Sequence, residues 1–381
     1  MNSLTGIKIF VDGHSFDKEF QGTRTFIREL YHEMCAQAPG TEFYIGANNI
    51  ETLRKEFSSL TNIHFVRYKS SSAMARLNRD IPQIIKKYGI HFAHFQYIAP
   101  FRKHCRYIVT THDILFNDFK SEFSLSYRFV RNFLFKYGIK RANIKTTVSS
   151  YSQERISYYY KIPASEIHVI KNGVSDVFFM DYVKQDEEAF IQQKYGIGPY
   201  ILYVSRLEPR KNHLLLLKAF IDKKLYQNDL NLVLIGKSSI IDAEFEQTVC
   251  SMPAAAKNHF FRIEQVDNDT LLKFYRAAKL FVYPSKAEGF GIPPLEAAAM
   301  KIPVLCSDKT AMSDFTFFDD RFFDPLNQQE FENKLTAMLS AKEDTVKNQA
   351  ISDAIKQQYS WQSSAKTLLS LISNHVTDQP I

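Results

Sequence analysis

Glycine is scarce in this sequence, 13 residues in 381, so two of them set between two acids in EGFGIPPLE (288–296) call for a reason. Cysteine is scarcer still. Cys35, Cys105, Cys250 and Cys306 are scattered, with no CxxC pair and no histidine clamp nearby, which argues against a zinc site and for buried free thiols. No apolar run approaches the length of a membrane-spanning helix. The opening residues, MNSLTGIKIFVDG, pass directly into a strand pattern without a basic or apolar leader, and a cytosolic chain is expected. There is no arginine-rich tract and no zinc-knuckle or ribonucleoprotein motif, so nucleic acid is set aside as a partner.

What remains is an ordinary globular composition, 45% apolar and 23% charged, in a chain long enough for two domains. The net charge of +7 suits a phosphate-bearing small molecule or an anionic membrane surface. Short β-branched and aromatic runs recur: IKIFVDG, EFYIGA, IHFVRYK, HFAHFQY, RYIVTTHD, IKTTVSS and IHVIKNGV in the first half. YILYVSR, NLVLIGK, HFFRIEQV, LFVYPS, IPVLCS and RFFDP follow in the second. Helical patterns separate them. The alternation predicts an α/β protein of two doubly wound, mainly parallel sheets, with ligands outside the carboxyl ends of the strands and a cleft between the halves. The expected boundaries are 1–178, a charged linker at 179–198, 199–356, and a last helix at 357–381. No sequence repeat links the halves.

The strand ends carry the chemistry. After YILYVS, the turn RLEPRKN brings Arg206, Arg210 and Lys211 beside a helix start, a good diphosphate clamp or simply a solvated basic turn. Such side chains are expected at a wet strand end, where truncation costs function rather than folding. Gly236 ends NLVLIG, where a backbone can approach a ring or a phosphate. Gly289 and Gly291 permit a tight turn that offers N–H groups, and Pro293 and Pro294 suit the first turn of a helix. Glu296 complements the dipole of that helix, but Glu288 has no such structural reason and suits hydroxyl groups. Asp267 to Asp269, DND, is read as a helix cap rather than a metal ligand. His112, ending TTHD, is either a sugar-facing donor or a satisfied structural histidine. Gly22, in QGTRTF, opens a helix that Thr23 or Thr25 could cap.

Together VSSYSQERI, VIKNGV, VSRLEPRKN, NLVLIG and YPSKAEGFGIPPLEAAA resemble the retaining glycosyltransferases of family 4, with their type B fold of two Rossmann-like domains. The resemblance spans most of the chain and is strongest from about 144 to 310. It implies that Arg206 and Lys211 hold a donor diphosphate, Glu288 the donor sugar and Glu296 the nucleotide ribose. It implies further donor contacts from Gly236, Val266, Phe290, Gly291 and Ile292, with His112 near the transferred sugar and Gly22 in the amino-terminal loop. His112, Glu288, Arg206 and Lys211 are the catalytic set so implied. Relatives often carry a glycine pair where this chain has Gln21-Gly22, and the last helix, in YSWQSSAKTLLSLI, resembles one that returns to the first domain. No cofactor and no metal are expected. The clamp and the THD strand end look most like bacterial mannosyltransferases of polysaccharide assembly, which makes GDP-mannose the first donor, ahead of UDP-sugars, GDP-fucose or dTDP-rhamnose. A glycan or lipid-linked glycan would be the acceptor. The alternatives are a non-catalytic sugar-nucleotide-binding subunit and an epimerase or phosphorylase of the same fold.

One stretch stands outside this scheme. Residues 119–141 place Phe123, Tyr127, Val130 and Leu134 at helical spacing, widened by Phe129 and Phe133, with six cations against the single acid Glu122. An interfacial helix at an anionic membrane, which would make the protein peripheral, and a core helix with a solvated basic edge are both open.

Overall fold

The computed structural model describes residues 4–17 and 22–377. It divides into two compact units, Met1–Gly173 with Tyr359–Ile381, and Val174–Gln358. The first unit carries β1 (Lys8–Asp12), β2 (Glu42–Ala47), β3 (Ile63–Arg67), β4 (Phe92–Gln96), β5 (Arg106–Thr110), β6 (Ile144–Thr147) and β7 (Ile167–Val169). They form one sheet in the order β3-β2-β1-β4-β5-β6-β7. Every pairing is parallel, Phe10 lying level with Tyr44 on one side and Ala93 on the other. The central strands are buried on both faces, which is why they read as continuous apolar runs rather than alternating ones.

The second unit repeats the plan with β8 (Tyr200–Val204), β9 (Asn231–Ile235), β10 (Phe260–Ile263), β11 (Leu280–Tyr283), β12 (Val304–Ser307) and β13 (Phe322–Phe323). The order is β10-β9-β8-β11-β12-β13, again all parallel. Each of these thirteen strands falls within a run anticipated from the sequence. In both sheets the order reverses beside the first strand, between β1 and β4 and between β8 and β11. Such a reversal opens a crevice at the carboxyl ends of the strands, where doubly wound sheets take ligands.

The stretch 179–198 is not a linker. Residues Lys184–Tyr195 form a helix that packs on the helix Asn268–Ala277 within the second unit. Glu187 is buried there and accepts from Lys273 Nζ at 3.0 Å and Arg276 at 3.2 Å. The charges that suggested a solvated connection are in part an internal ion-pair set. The first unit instead ends at Gly173, where a Cβ would stand 2.4 Å from the Trp361 nitrogen. Trp361 opens the last helix, Trp361–Thr377, which lies against the helix Gly22–Gln37. Its ring meets Phe26 at 5.9 Å, and Ser364 donates to the Lys171 carbonyl at 2.6 Å.

Candidate active site

In the second unit the loops after β8 and β11 meet at the switch point. The β8 loop runs through a short 3-10 turn, Pro209–Lys211, to Asn212, whose φ of 59° reverses the chain into the helix His213–Asp222. Its buried amide ties the turn to the Pro325 carbonyl at 3.0 Å. The β11 loop carries Glu288. Lys211 Nζ donates to Glu288 Oε1 at 2.6 Å, Tyr283 Oη to the same oxygen at 2.9 Å, and Arg210 to Oε2 at 3.3 Å. Arg210 also donates to the Ala287 carbonyl and to Glu208, and Lys286 N–H returns to the Arg210 carbonyl at 2.9 Å. The Glu288 amide is held by Thr310 Oγ1 at 2.8 Å.

The two carboxylates of EGFGIPPLE therefore sit in opposite environments. Burial alone would raise Glu288, but Lys211 and Arg210 overcome it and hold the carboxyl at about 2. Glu296 lies in the helix Ile292–Ala299, where burial pushes it up to about 7 against a single hydrogen bond from Tyr275 at 3.1 Å. No cation pairs with it among the described residues. At neutral pH Glu288 is fully anionic while Glu296 is poised between its two forms. A group that offers hydroxyl donors to Glu296 favours the anion.

The structure brings Glu288 and Lys211 together, and it corrects one expectation about them. Lys211 does not stand in open water. Its side chain is 12% exposed and that of Glu288 10%, so truncating either strands a charge. Arg206, on the same loop, is exposed and makes no side-chain hydrogen bond or ion pair among the described residues. Gly291 caps the helix with φ 97°, and a Cβ there would press on Met312 at 3.1 Å. Phe290 is buried edge-on to Phe315 at 5.8 Å, while Val266 and Ile292 are half-buried. Gly236 has a packing reason of its own. Its N–H is taken by the Ile263 carbonyl, and a Cβ would fall 1.9 Å from the Ser205 carbonyl oxygen, so backbone packing requires glycine there. Asp267 caps Asn268–Ala277, accepting from the Thr270 N–H and hydroxyl, both at 2.8 Å.

In the first unit His112 is half-buried beyond the end of β5, its ring edge-on to Phe26 at 4.8 Å. Its Nε2 meets Gln96 Oε1 at 2.7 Å, so the ring donates there and keeps Nδ1 as an acceptor. Burial lowers it to about 4 and leaves it neutral. Behind Gln96 stands buried His94, which contacts Tyr31 Oη at 2.9 Å and Thr110 Oγ1 at 2.7 Å. Gly22 is exposed at the start of its helix, and Gln21 lies outside the described residues.

Sequence reasoning missed Tyr203, Tyr283 and Gln96. Tyr203 donates to the Lys211 carbonyl at 2.7 Å, and its ring meets Tyr283 at 5.5 Å across the β8–β11 pair. The matched tyrosines of YILYVS and LFVYPS, each near its strand end, were the available signal.

Two Rossmann-type parallel sheets, the second with charged loops at its switch point, define a doubly wound class of α/β protein. The family described as Glycosyl transferases group 1 matches residues 184–374, half of the chain, and Glycosyltransferase Family 4 matches residues 21–177. The chain belongs to the group 1 glycosyl transferases. It is 32% identical over 201 residues to the O-antigen chain mannosyltransferase RfbU of Salmonella typhimurium, over 52% of this chain and 51% of that protein. It is 33% identical over 180 residues to O-antigen chain mannosyltransferase B of Escherichia coli, over 45% of each. The aligned region thus spans about half the length of these relatives. A glycosyltransferase from Rickettsia africae shares the fold, with a TM-score of 0.74 and 19% identity over 97% of this chain and 98% of that one.

Proposed function

We propose that this protein transfers a hexose, with mannose from GDP-mannose as the first candidate, from a nucleotide sugar to a hydroxyl of a glycan or lipid-linked glycan during assembly of a cell-surface polysaccharide. The observation that carries the reading is the ionised Glu288 bound to Lys211 and Arg210 at the β8–β11 switch point. Glu288 is held too far below neutrality to act as a general acid, and it suits hydroxyls of the donor sugar as a fixed acceptor. Lys211 spends one of its three N–H groups on Glu288, which leaves two for a diphosphate beside Arg206. Charge then develops on the leaving diphosphate next to preorganised cations, the electrostatic device that such transfers need. Glu296 is assigned to the ribose hydroxyls, and His112 Nδ1 to a hydroxyl of the transferred sugar. The reaction is assigned as retaining and independent of metal. In support, the cations supply the countercharge, and Asp267 of DND is engaged in capping its helix.

The test is a thermal-shift series with GDP-mannose, UDP-sugars, GDP-fucose and dTDP-rhamnose, followed by product analysis. A ligand at a hundred times its Kd stabilises by about 2.7 kcal/mol. GDP-mannose is expected to give the largest rise and to release GDP only when glycan acceptor is added, with the donor anomeric configuration kept in the product and turnover surviving EDTA. If no sugar nucleotide raises the melting temperature, the assignment fails.

A further inference from the structure

The helix Leu125–Arg141 presents an unpartnered face of unusual composition. Only Phe135, Gly138 and Ile139 are buried, and they join the core of the first unit, where Phe123 and Leu134 also pack. The apolar face read from the sequence therefore splits in two: Phe123 and Leu134 turn inward, and another row turns outward. Leu125 is 77% exposed, Phe129 78% and Phe133 59%, spaced four residues apart, with Val130 beside them at 52%. Phe133 stacks on Tyr137 a turn later at 6.3 Å. On that same outward face the second half of the helix carries Lys136, Lys140 and Arg141.

A neighbouring loop continues the surface. Tyr137 Oη donates to the Phe101 carbonyl at 2.8 Å, the two rings meet at 5.4 Å, and Lys103 Nζ reaches the Arg141 carbonyl at 3.0 Å. Phe101, Arg102 and Lys103 are all exposed. Neither 101–106 nor 123–141 contains an acid. Arg131 is half-buried over the Tyr127 and Phe135 rings, whereas Arg141, which lies over the Tyr137 ring, is exposed, as are Lys140, Arg102 and Lys103, with Lys136 half-buried beside them.

We infer that this face docks the protein on an anionic lipid bilayer, with Leu125, Phe129 and Phe133 entering the headgroup boundary and Lys136, Lys140, Arg141, Arg102 and Lys103 meeting the lipid phosphates. Aromatics that enter the boundary beside cations that meet anionic headgroups are how interfacial helices bind. Charge decides among occupants. A second copy of the chain, placed face to face, would set two acid-free cationic rows against each other, whereas anionic lipid complements them. The inference stands on this surface alone and does not depend on the transfer reaction.

The test is co-sedimentation of the full chain with vesicles of phosphatidylglycerol and phosphatidylethanolamine, and with pure phosphatidylcholine vesicles. The protein is expected to pellet with the anionic vesicles, weakly or not at all with the neutral ones, and less as salt rises. Two double variants, Phe129→Ser/Phe133→Ser and Lys136→Glu/Lys140→Glu, should each lower partitioning about tenfold or more. These positions are on the surface, so circular dichroism and the melting temperature should match the parent chain. Absence of pelleting at low salt, or undiminished pelleting of both variants, overturns the inference. So does a dimer that Phe129→Ser/Phe133→Ser disperses without any vesicle binding, because the face would then join copies of the chain.

Discussion

Replacing Lys211 with methionine keeps most of the side-chain volume and deletes the charge, leaving Glu288 buried as an anion. Breaking a buried pair from one side costs about 3–5 kcal/mol. Here Arg210 at 3.3 Å and Tyr283 at 2.9 Å still support the carboxylate, which favours the lower end of that range. About 3 kcal/mol in a unit of this size lowers Tm by roughly 6–12 °C. Glu288→Gln should cost a similar amount, because it leaves the Lys211 ammonium, 12% exposed, facing a neutral amide. The double variant removes both charges at once. It should be less destabilised than the two single losses added together, with a coupling of about 2 kcal/mol. Calorimetry of the full chain at pH 7.5 reads all three values. If Lys211→Met melts within about 2 °C of the parent, or if the two losses simply add, the pair is an incidental contact and the ascribed preorganisation is wrong.

Three further outcomes are expected. Arg206→Ala should leave Tm within about 1 °C while lowering turnover by roughly two orders of magnitude, because an exposed cation with no side-chain hydrogen bond or ion pair to a described residue contributes to the ligand and not to the fold; unchanged turnover refutes its place in the clamp. Glu296 binds its proton more tightly folded than unfolded, so its contribution favours the folded state below pH 4.5 and is lost as pH rises towards about 7, whereas Glu288 stabilises above pH 4.5 and loses that effect as pH falls through about 2. Glu296→Gln should therefore flatten the decline in Tm between pH 5 and 8, and donor binding to the parent chain near pH 7 should release a proton, seen as a buffer-dependent heat. Gly236→Ala should lower Tm by more than about 6 °C or abolish soluble expression, since its Cβ would lie 1.9 Å from the Ser205 carbonyl oxygen.

The strands were legible because parallel strands covered on both faces must be apolar throughout, and runs such as YILYV and NLVLI admit little else. The acids of EGFGIPPLE were legible because Glu288 had no local role that could explain it. Their partners were not. Arg210 and Lys211 stand nearly eighty residues before Glu288, and only the β8–β11 pairing brings the loops together. Gln96 looked like an ordinary strand residue until β4 and β5 aligned it with His112. Charge density at 179–198 read as solvent exposure because a sequence does not show that Lys273 and Arg276 answer Glu187. The outward face of Leu125–Arg141 was misplaced for a related reason. Periodicity finds an apolar side, but a helix that is apolar on two sides needs the sheet beneath it to say which one is covered.

The same contacts that position the site also limit how it can work. In the proposed reaction Glu288 accepts from sugar hydroxyls, yet it is already bound by Lys211, Tyr283 and Arg210. Its lone pairs are partly spent, so the donor sugar meets an anion that cannot swing to follow it. That rigidity favours a narrow set of hydroxyl positions, because a fixed, desolvated acceptor is costly to leave unmatched. Glu296 is the opposite case, with one hydrogen bond and a proton it holds to about pH 7. A ligand that donates two hydroxyls there must first displace that proton, and its affinity should weaken as pH falls below 7. Discrimination between sugars is therefore expected to rest on the Glu288 cluster, and the pH dependence of nucleotide affinity on Glu296. Exchanging the nucleotide at constant sugar should change affinity without moving its pH midpoint, while removing the ribose hydroxyls should abolish the midpoint. A pH midpoint that survives in a 2′,3′-dideoxy nucleotide would place the titrating group elsewhere.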